Sequence, residues 1–424
     1  MKKSLAFLSF LIYAAAPADS FHYKDIIVGE RAIGLGGAFT AISDDPSGIL
    51  YNPAGIAFSS ENYLSVSTNA YTTNNETFTN IEGAGQNYST RSQSLLPSMV
   101  GVTQTLGPGK LGIGLFSTNS EAIDQADRLE LPSDIPEKNR IITRHVLSQN
   151  NTYLVGPAYA IELFSNLSIG VSVLGKFSVF KSIDNLNQLT PAKDGADYNY
   201  ELRSEDKRST EFGLLPILGI QFMPIAKWSL GLAISRPFVQ GRSKTTRLKT
   251  HLTNADPPQI PEPTGKFNPD FEESVVTNTY SIGSPFQTSI SSAYFVNRAF
   301  LIAAQADIFQ DLIYNKVNAA LTLNWTLAAE YFPMDWLALR GAIYSNNAST
   351  PVPRVNATPE LQPAHIDQLG GAFGLSVYRP SSSITLSATY SQGTGKGQAT
   401  EKQNEFTPMD RSVLTLYLSG SYQL

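Results

Sequence analysis

The sequence predicts an all-β protein: a transmembrane antiparallel β-barrel of about fourteen strands with an N-terminal hatch (plug) segment in the lumen. Three observations predict it. The chain opens with an export signal, its later segments alternate apolar and polar residues with a period of two, and tight turns alternate with long polar connections.

The export signal comes first. Lys2 and Lys3 form a short positive region, Leu5 to Tyr13 an apolar run, and Ala14-Ala15-Ala16-Pro17-Ala18 a small-residue stretch. This order is a secretory signal peptide, residues 1–18, whose apolar run is too short to cross a bilayer as a helix. Cleavage is expected after Ala16 or Ala18. The sequence has no cysteine, so lipidation at the N-terminus and a disulfide framework are both excluded. Removing the signal takes away two lysines, which moves the net charge from −5 to −7, or 29 basic against 36 acidic residues. That balance argues against a nucleic-acid partner. Charged residues make up 16%, below the roughly 25% of a soluble domain. Mean hydropathy is −0.12, and the most apolar stretch past the signal, Phe212 to Ile225, contains Pro216, Gln221 and Pro224. No candidate transmembrane helix exists, which leaves a large periplasmic β-protein or an outer-membrane barrel.

Alternation is clear in 167–179, where Leu167, Ile169, Val171, Val173, Phe177 and Val179 face one way and Ser168, Gly170, Ser172, Lys176 and Ser178 the other. It recurs in 317–331, 383–391 and 414–423. A soluble sandwich gives the same pattern, so loop lengths decide. Strands are read near 61–71, 94–106, 110–119, 146–163, 166–182, 208–223, 227–240, 278–296, 298–311, 316–332, 336–346, 367–379, 382–393 and 411–423. Tight turns fall at Gly107–Gly109, Phe164–Ser165, Pro224–Ala226, Asn297, Pro333–Asp335 and Pro380–Ser381. Between them lie long polar segments around 72–93, 120–145, 183–207, 241–277, 347–366 and 394–410, read as loops. Only the connection near Leu312–Asn315 is short where a long one is due. Short turns on one rim and long loops on the other are the outer-membrane arrangement, with turns and both termini in the periplasm. Trp228, Tyr331 and Tyr422 near turn-side strand ends suit a lipid–water boundary. Residues 59–424 are therefore read as the barrel.

Residues 19–58 do not alternate. Glycines at 34, 36 and 37 permit close backbone approach, and Asp44-Asp45-Pro46-Ser47-Gly48 and Asn52-Pro53-Ala54-Gly55 read as turns. This fairly apolar segment needs burial, and the lumen is the available place.

The run Arg31-Ala32-Ile33-Gly34-Leu35-Gly36-Gly37-Ala38, then Asp44-Asp45, then Tyr51-Asn52-Pro53-Ala54-Gly55, resembles the N-terminal hatch signature of the FadL/TodX family of hydrophobic-compound transporters. The barrel rhythm extends the resemblance over nearly the whole mature chain. It implies a plugged barrel in which ligands such as long-chain fatty acids bind inside, move passively and leave sideways through the wall. Asn52, Pro53 and Ala54 match the family's Asn-Pro-Ala element. If cleavage follows Ala18, Phe21 matches the N-terminal aromatic of the inner site. The C-terminus, Tyr422-Gln423-Leu424, departs from the usual terminal Phe or Trp and weakens the signal to the outer-membrane insertion machinery.

Enzymatic chemistry has no support in the sequence. The four histidines, at 22, 145, 251 and 365, have no metal-ligand spacing, no G-x-S-x-G occurs, and Gly393-Thr394-Gly395-Lys396-Gly397 lacks a phosphate-loop's first glycine. No metal, cofactor or catalytic residue is expected. Inward positions are mostly small or polar, and against that background Phe116, Leu154, Leu174, Phe295 and Leu301 are large apolar side chains expected in the lumen. With Phe21 and Ile33 from the hatch, they either line a greasy pocket for an alkyl or aromatic chain or pack against the hatch. Lys176 is expected inward. Arg340 joins it if Pro333–Asp335 is a three-residue turn, and Glu330 then lies diagonally opposite on the same face. The two cations could pair with a ligand carboxylate or with internal acids. The expected function is that of a monomeric outer-membrane channel for passive uptake of hydrophobic compounds, in contact with membrane lipids. The alternative is a structural or secretion-associated barrel without solute transport.

Overall fold

The computed structural model describes residues 22–59, 62–81, 85–133, 138–191, 198–255, 270–282, 284–314, 317–354, 364–397 and 406–424. The signal peptide and Phe21 lie outside them.

The strands are β1 (Tyr63–Phe78), β2 (Tyr88–Leu106), β3 (Gly109–Pro132), β4 (Asn139–Phe164), β5 (Leu167–Pro191), β6 (Tyr198–Ile225), β7 (Trp228–Ser235 and Phe238–Ala255), β8 (Asp270–Ile282 and Gln287–Asn297), β9 (Phe300–Phe309), β10 (Thr322–Met334), β11 (Leu337–Asn346), β12 (His365–Arg379), β13 (Ser382–Gly397) and β14 (Thr407–Gln423). Both halves of β7 pair with β6, and each half of β8 pairs with one half of β7. The sixteen segments of the sheet thus form fourteen strands. Every neighbour pair is antiparallel, and β14 pairs with β1, so the sheet closes on itself. Closure leaves no edge, as backbone groups in hydrocarbon require.

The wall is apolar outside and polar inside. Leu214, Leu218 and Ile220 of β6, Leu323 and Leu327 of β10, and Ile384 and Leu386 of β13 are exposed on the outer face. Gln221, Thr326 and Thr385, on the opposite face of the same strands, are buried. Trp228, Tyr331 and Tyr422 are exposed at the turn-side ends. The start of β1 and the end of β14 share that rim, where the Leu424 amide donates to the Asn62 carbonyl at 2.9 Å.

The strands run farther than alternation suggested, into segments read as loops. β6 has 28 residues, roughly 90 Å at about 3.3 Å each, against a hydrocarbon thickness of about 30 Å. Beyond the belt the outer face turns polar and the inner face mixes ion pairs with a small apolar cluster of Ile81, Tyr88, Leu131 and Ile142, so the dyad pattern fades while the ladder continues. The ion pairs include Arg144 to Asp184 at 2.6 Å, Arg203 to Glu201 at 2.6 Å and Arg247 to Glu205 at 2.7 Å. The connection after β9 is a small hairpin, Leu312–Tyr314 paired with Val317–Ala319.

One place in the wall is weakly knit. Among the described residues, the ladder between β7 and β8 stops at Ser235–Gln287 and resumes at Val239–Ile282. Pro237 lies in this break, Pro285 faces it, and Pro216 stands in β6 alongside. A proline donates no ladder bond. Arg236 bridges the break, its Nε donating to the Ser284 carbonyl at 3.2 Å and its guanidinium lying 4.7 Å from the Phe286 ring centroid.

Candidate functional site

Residues 22–58 pack against the inward faces of the strands. The segment contains α1 (Glu30–Gly34), α2 (Gly48–Tyr51) and a 3-10 turn, Pro53–Phe58. These elements are too short to be stable alone. They are held by the wall: the 3-10 turn touches β3 to β6, and α1 touches β11 to β14 and β1.

Local sequence explains the shape. Gly36 has φ +59°, and a Cβ there would sit 2.9 Å from the Ala342 Cβ of β11, so a side chain is excluded on both counts. Asn52 precedes Pro53, which begins the 3-10 turn where a missing N–H costs nothing. Its carboxamide oxygen accepts from the Ala54 amide at 3.1 Å, and its nitrogen donates to the carbonyls of Thr40 at 2.7 Å and Ile220 of β6 at 3.1 Å. Asn52 therefore caps its own turn, ties it to the preceding loop and anchors both to the wall. Strand side chains complete the accounting. Ser168, Ser172 and Ser229 donate to the carbonyls of Ala54, Ile49 and Ala41 at 2.8, 2.7 and 2.6 Å, and Gln305 accepts from the amides of Phe39 and Thr40 at 3.1 Å each. Buried peptide groups away from strands and helices thus find partners. Asp45 accepts from the Ser47 amide at 2.7 Å and hydroxyl at 2.5 Å; burial pushes its carboxyl up to about 6, and the Ser47 hydroxyl partly opposes this.

Charge is matched across the interface. Arg31 donates from Nε and Nη2 to the Glu330 carboxylate of β10, the shorter contact being 2.5 Å, and from Nη1 to Asp44 at 2.9 Å. Arg340 of β11 reaches the same Glu330 at 2.7 Å and the Tyr378 hydroxyl at 2.6 Å. Two cations and two anions cancel in a site where the Arg340 and Glu330 side chains are 0% and 1% exposed. Lys24 pairs with Asp307 of β9 at 2.6 Å, and Glu30 accepts from Thr385 at 2.6 Å. Arg411 of β14 meets His22 at 2.9 Å, Asp25 at 3.4 Å and Glu76 of β1 at 3.2 Å.

Apolar contacts between the segment and the wall fall into three clusters, with Tyr51 touching the first two and Ala342 the last two. Phe116, Leu154 and Leu174 pack with Val28, Ile49 and Ile56. Leu301, with the partly buried Phe295, packs with Leu35, Phe39 and Ile42. Ile33 packs with Ile27, Tyr344 and Tyr417.

With this geometry established, the chain was compared with known proteins. No protein-family model and no curated protein matches the sequence. Solved structures do match. A Pseudomonas aeruginosa FadL homologue aligns with a TM-score of 0.59 at 13% identity, covering 95% of this chain and 99% of that one. The P. putida toluene transporter TodX aligns at 0.60 and 13%, covering 94% and 98%. The CymD monoaromatic hydrocarbon channel aligns at 0.58 and 12%, covering 95% and 99%. The chain has the FadL/TodX barrel fold.

On this FadL-type scaffold the sequence-predicted residues take these places. Phe116, Leu154, Leu174 and Leu301 face inward and are buried, with Phe295 half-buried beside them, but they divide between two clusters, with Ile33 in a third. Lys176 lies 3.5 Å from Glu211, and Arg340 belongs to the Glu330 network. Glu330 and Arg340 stand directly opposite, not diagonally, because the turn is Asp335–Trp336 with a register shift between Tyr331 and Met334. Of the signature residues, Gly34 lies against Arg340 and Gly374, the Gly37 amide donates to the Ala32 carbonyl at 2.9 Å, and Asp44 holds Arg31. Sequence reasoning assigned no role to Lys24, Glu30, Arg31 or Arg411. Arg31 opens the signature run, so only its partner was missing.

Proposed function

We propose that this protein is an outer-membrane channel for passive uptake of hydrophobic compounds, with long-chain fatty acids as the expected cargo and residues 19–58 as a lumenal plug. The carrying observation is the cluster of Phe116, Leu154 and Leu174 under Ile49 and Ile56, apolar surface set among inward positions that are mostly small or polar. An alkyl chain that displaces the covering residues gains about 0.8 kcal/mol per methylene buried, so a long tail binds at micromolar strength without a polar anchor. The apolar outer face and the rim of short turns support insertion with both termini in the periplasm. The break between β7 and β8, bridged by Arg236, supports a sideways exit, since fewer ladder bonds must part there. The fold is shared with proteins described as a FadL homologue, a toluene transporter and a monoaromatic hydrocarbon channel, so small aromatics are the competing cargo.

The test is binding of a fluorescent long-chain fatty acid to the purified barrel. Leu174→Asn and Leu301→Asn together are expected to weaken binding at least about tenfold, because each puts an unpaired amide in an apolar cluster. Each single variant then reports on its own cluster. Unchanged binding in the double variant, with heat-modifiable barrel migration intact, rules out this pocket. Displacement by toluene at lower concentration than by fatty acid would reassign the cargo.

A further inference from the structure

The outer face of β5, β6 and β7 carries a second feature that transport does not use. Exposed apolar side chains there end at Phe177, Phe212 and Phe238, with the Phe177 and Phe212 ring centroids 5.0 Å apart. Directly beyond them, away from the short turns, the outward positions become cationic. Thr210 pairs with Arg242, and in the next row Lys181, Arg208 and Lys244 stand opposite one another across three adjacent strands. Like charges directly opposite on a ladder repel. Of the acids on this face, Asp206 engages Arg208, at 2.9 Å. Lys181, Arg242 and Lys244 have no acid partner among the described residues. A groove of about 470 Å³ opens here, lined by Arg208, Arg242 and Lys244 above and Phe212 below.

We propose that this groove binds a phosphorylated, acyl-bearing lipid of the outer leaflet, with its phosphates on Arg208, Arg242 and Lys244 and its acyl chains along Phe177, Phe212 and the belt below. The argument is charge complementarity at the boundary where such a lipid changes from chain to headgroup. A neutral headgroup would leave the row of cations repelling, and a free anion would leave the aromatic floor uncovered. Binding also relieves repulsion that the fold otherwise sustains in three of its longest strands.

The inference rests on the outer-membrane reading for the lipid's identity, and its test does not depend on transport. Purified mature barrel in detergent is titrated with bis-phosphorylated lipid A, with the same lipid dephosphorylated, and with inorganic phosphate. Arg208→Gln/Arg242→Gln/Lys244→Gln is expected to bind the phosphorylated lipid roughly a hundredfold more weakly, as the loss of three cations at a membrane surface predicts. A Lys227→Gln control at the short-turn rim is expected to bind like the parent. In the parent, high salt weakens binding, the dephosphorylated lipid binds poorly, and millimolar inorganic phosphate does not compete. Equal binding by the triple variant and the parent, with barrel migration intact, overturns the site. So does equal affinity for the dephosphorylated lipid, and full competition by inorganic phosphate reduces it to an anion patch. Loss of hydrophobic-compound uptake with intact lipid binding would count against the transport reading alone.

Discussion

Glu330→Gln is expected to release the N-terminal segment while leaving the barrel closed. Glu330 stands between two guanidinium groups, taking 2.5 Å and 2.7 Å contacts from Arg31 and Arg340. The amide keeps one acceptor and turns an NH2 toward donors, so at least one cation loses its partner. Arg340 cannot leave, since its side chain is 0% exposed and its strand is part of the wall. Arg31 can, because it belongs to the segment. Removing one partner of a buried ion pair costs about 3–5 kcal/mol, and the strain is relieved by undocking. That shifts the docking equilibrium by a factor of roughly a hundred to a few thousand. Single-channel recording in planar bilayers should show longer-lived high-conductance openings for small ions, and protease should cut the segment faster. In a double-mutant cycle, Arg31→Ala should cost less in the Glu330→Gln background than in the parent, because the pair already lacks its charge. Parent-like conductance and protease resistance in correctly folded Glu330→Gln would refute the view that this network holds the segment.

Deleting residues 21–58 should raise small-ion conductance to a level that no point variant exceeds; unchanged conductance in a folded deletion removes the plug assignment. Gly231→Val should mimic partial undocking, because a Cβ there would lie 2.2 Å from the Thr40 carbonyl oxygen, and faster proteolysis of the segment is the readout. Docking should also depend on pH. The Asp45 carboxyl is raised to about 6 when the segment is packed, against about 4 for a free carboxyl. The packed state then holds the proton more tightly, so docking is strongest below about pH 4 and weakens as pH rises to about 6. Protease protection measured across that window should fall in the parent and stay flat in Asp45→Asn.

The fold was legible because an apolar outer face and a largely polar inner face impose a dyad on the strands, as in 167–179 and 383–391. The strand number followed from it. The outward extensions were illegible because polar residues on the outer face remove the contrast; in 201–207 cross-strand charges such as Arg247 with Glu205 mark the ladder. The signature residues Asn52 and Gly36 were legible as turn chemistry, whereas their targets, Ile220 and Ala342, required the register. The same limit hid Arg31 with Glu330, 299 residues apart, and the cations of the outer groove, which come from two strands. Lumen-facing apolar residues were found individually. Their division into clusters depends on the path of a segment that has no periodicity.

The closing strand has a consequence for assembly order. β14 follows the other strands of the sheet in sequence and completes the wall by pairing with β1, and it carries Arg411, whose guanidinium reaches Glu76 of β1 and both His22 and Asp25 of the segment. Residues 22–58 precede every strand in the chain and must be enclosed by strands that arrive later. The final zipping step therefore meets the segment at the seam itself. A barrel that closes with the segment outside leaves Arg411 facing Glu76 without Asp25 or His22, while one that closes around it gains all three contacts at once. One arginine thus links the seam of the cylinder to the packing of its interior.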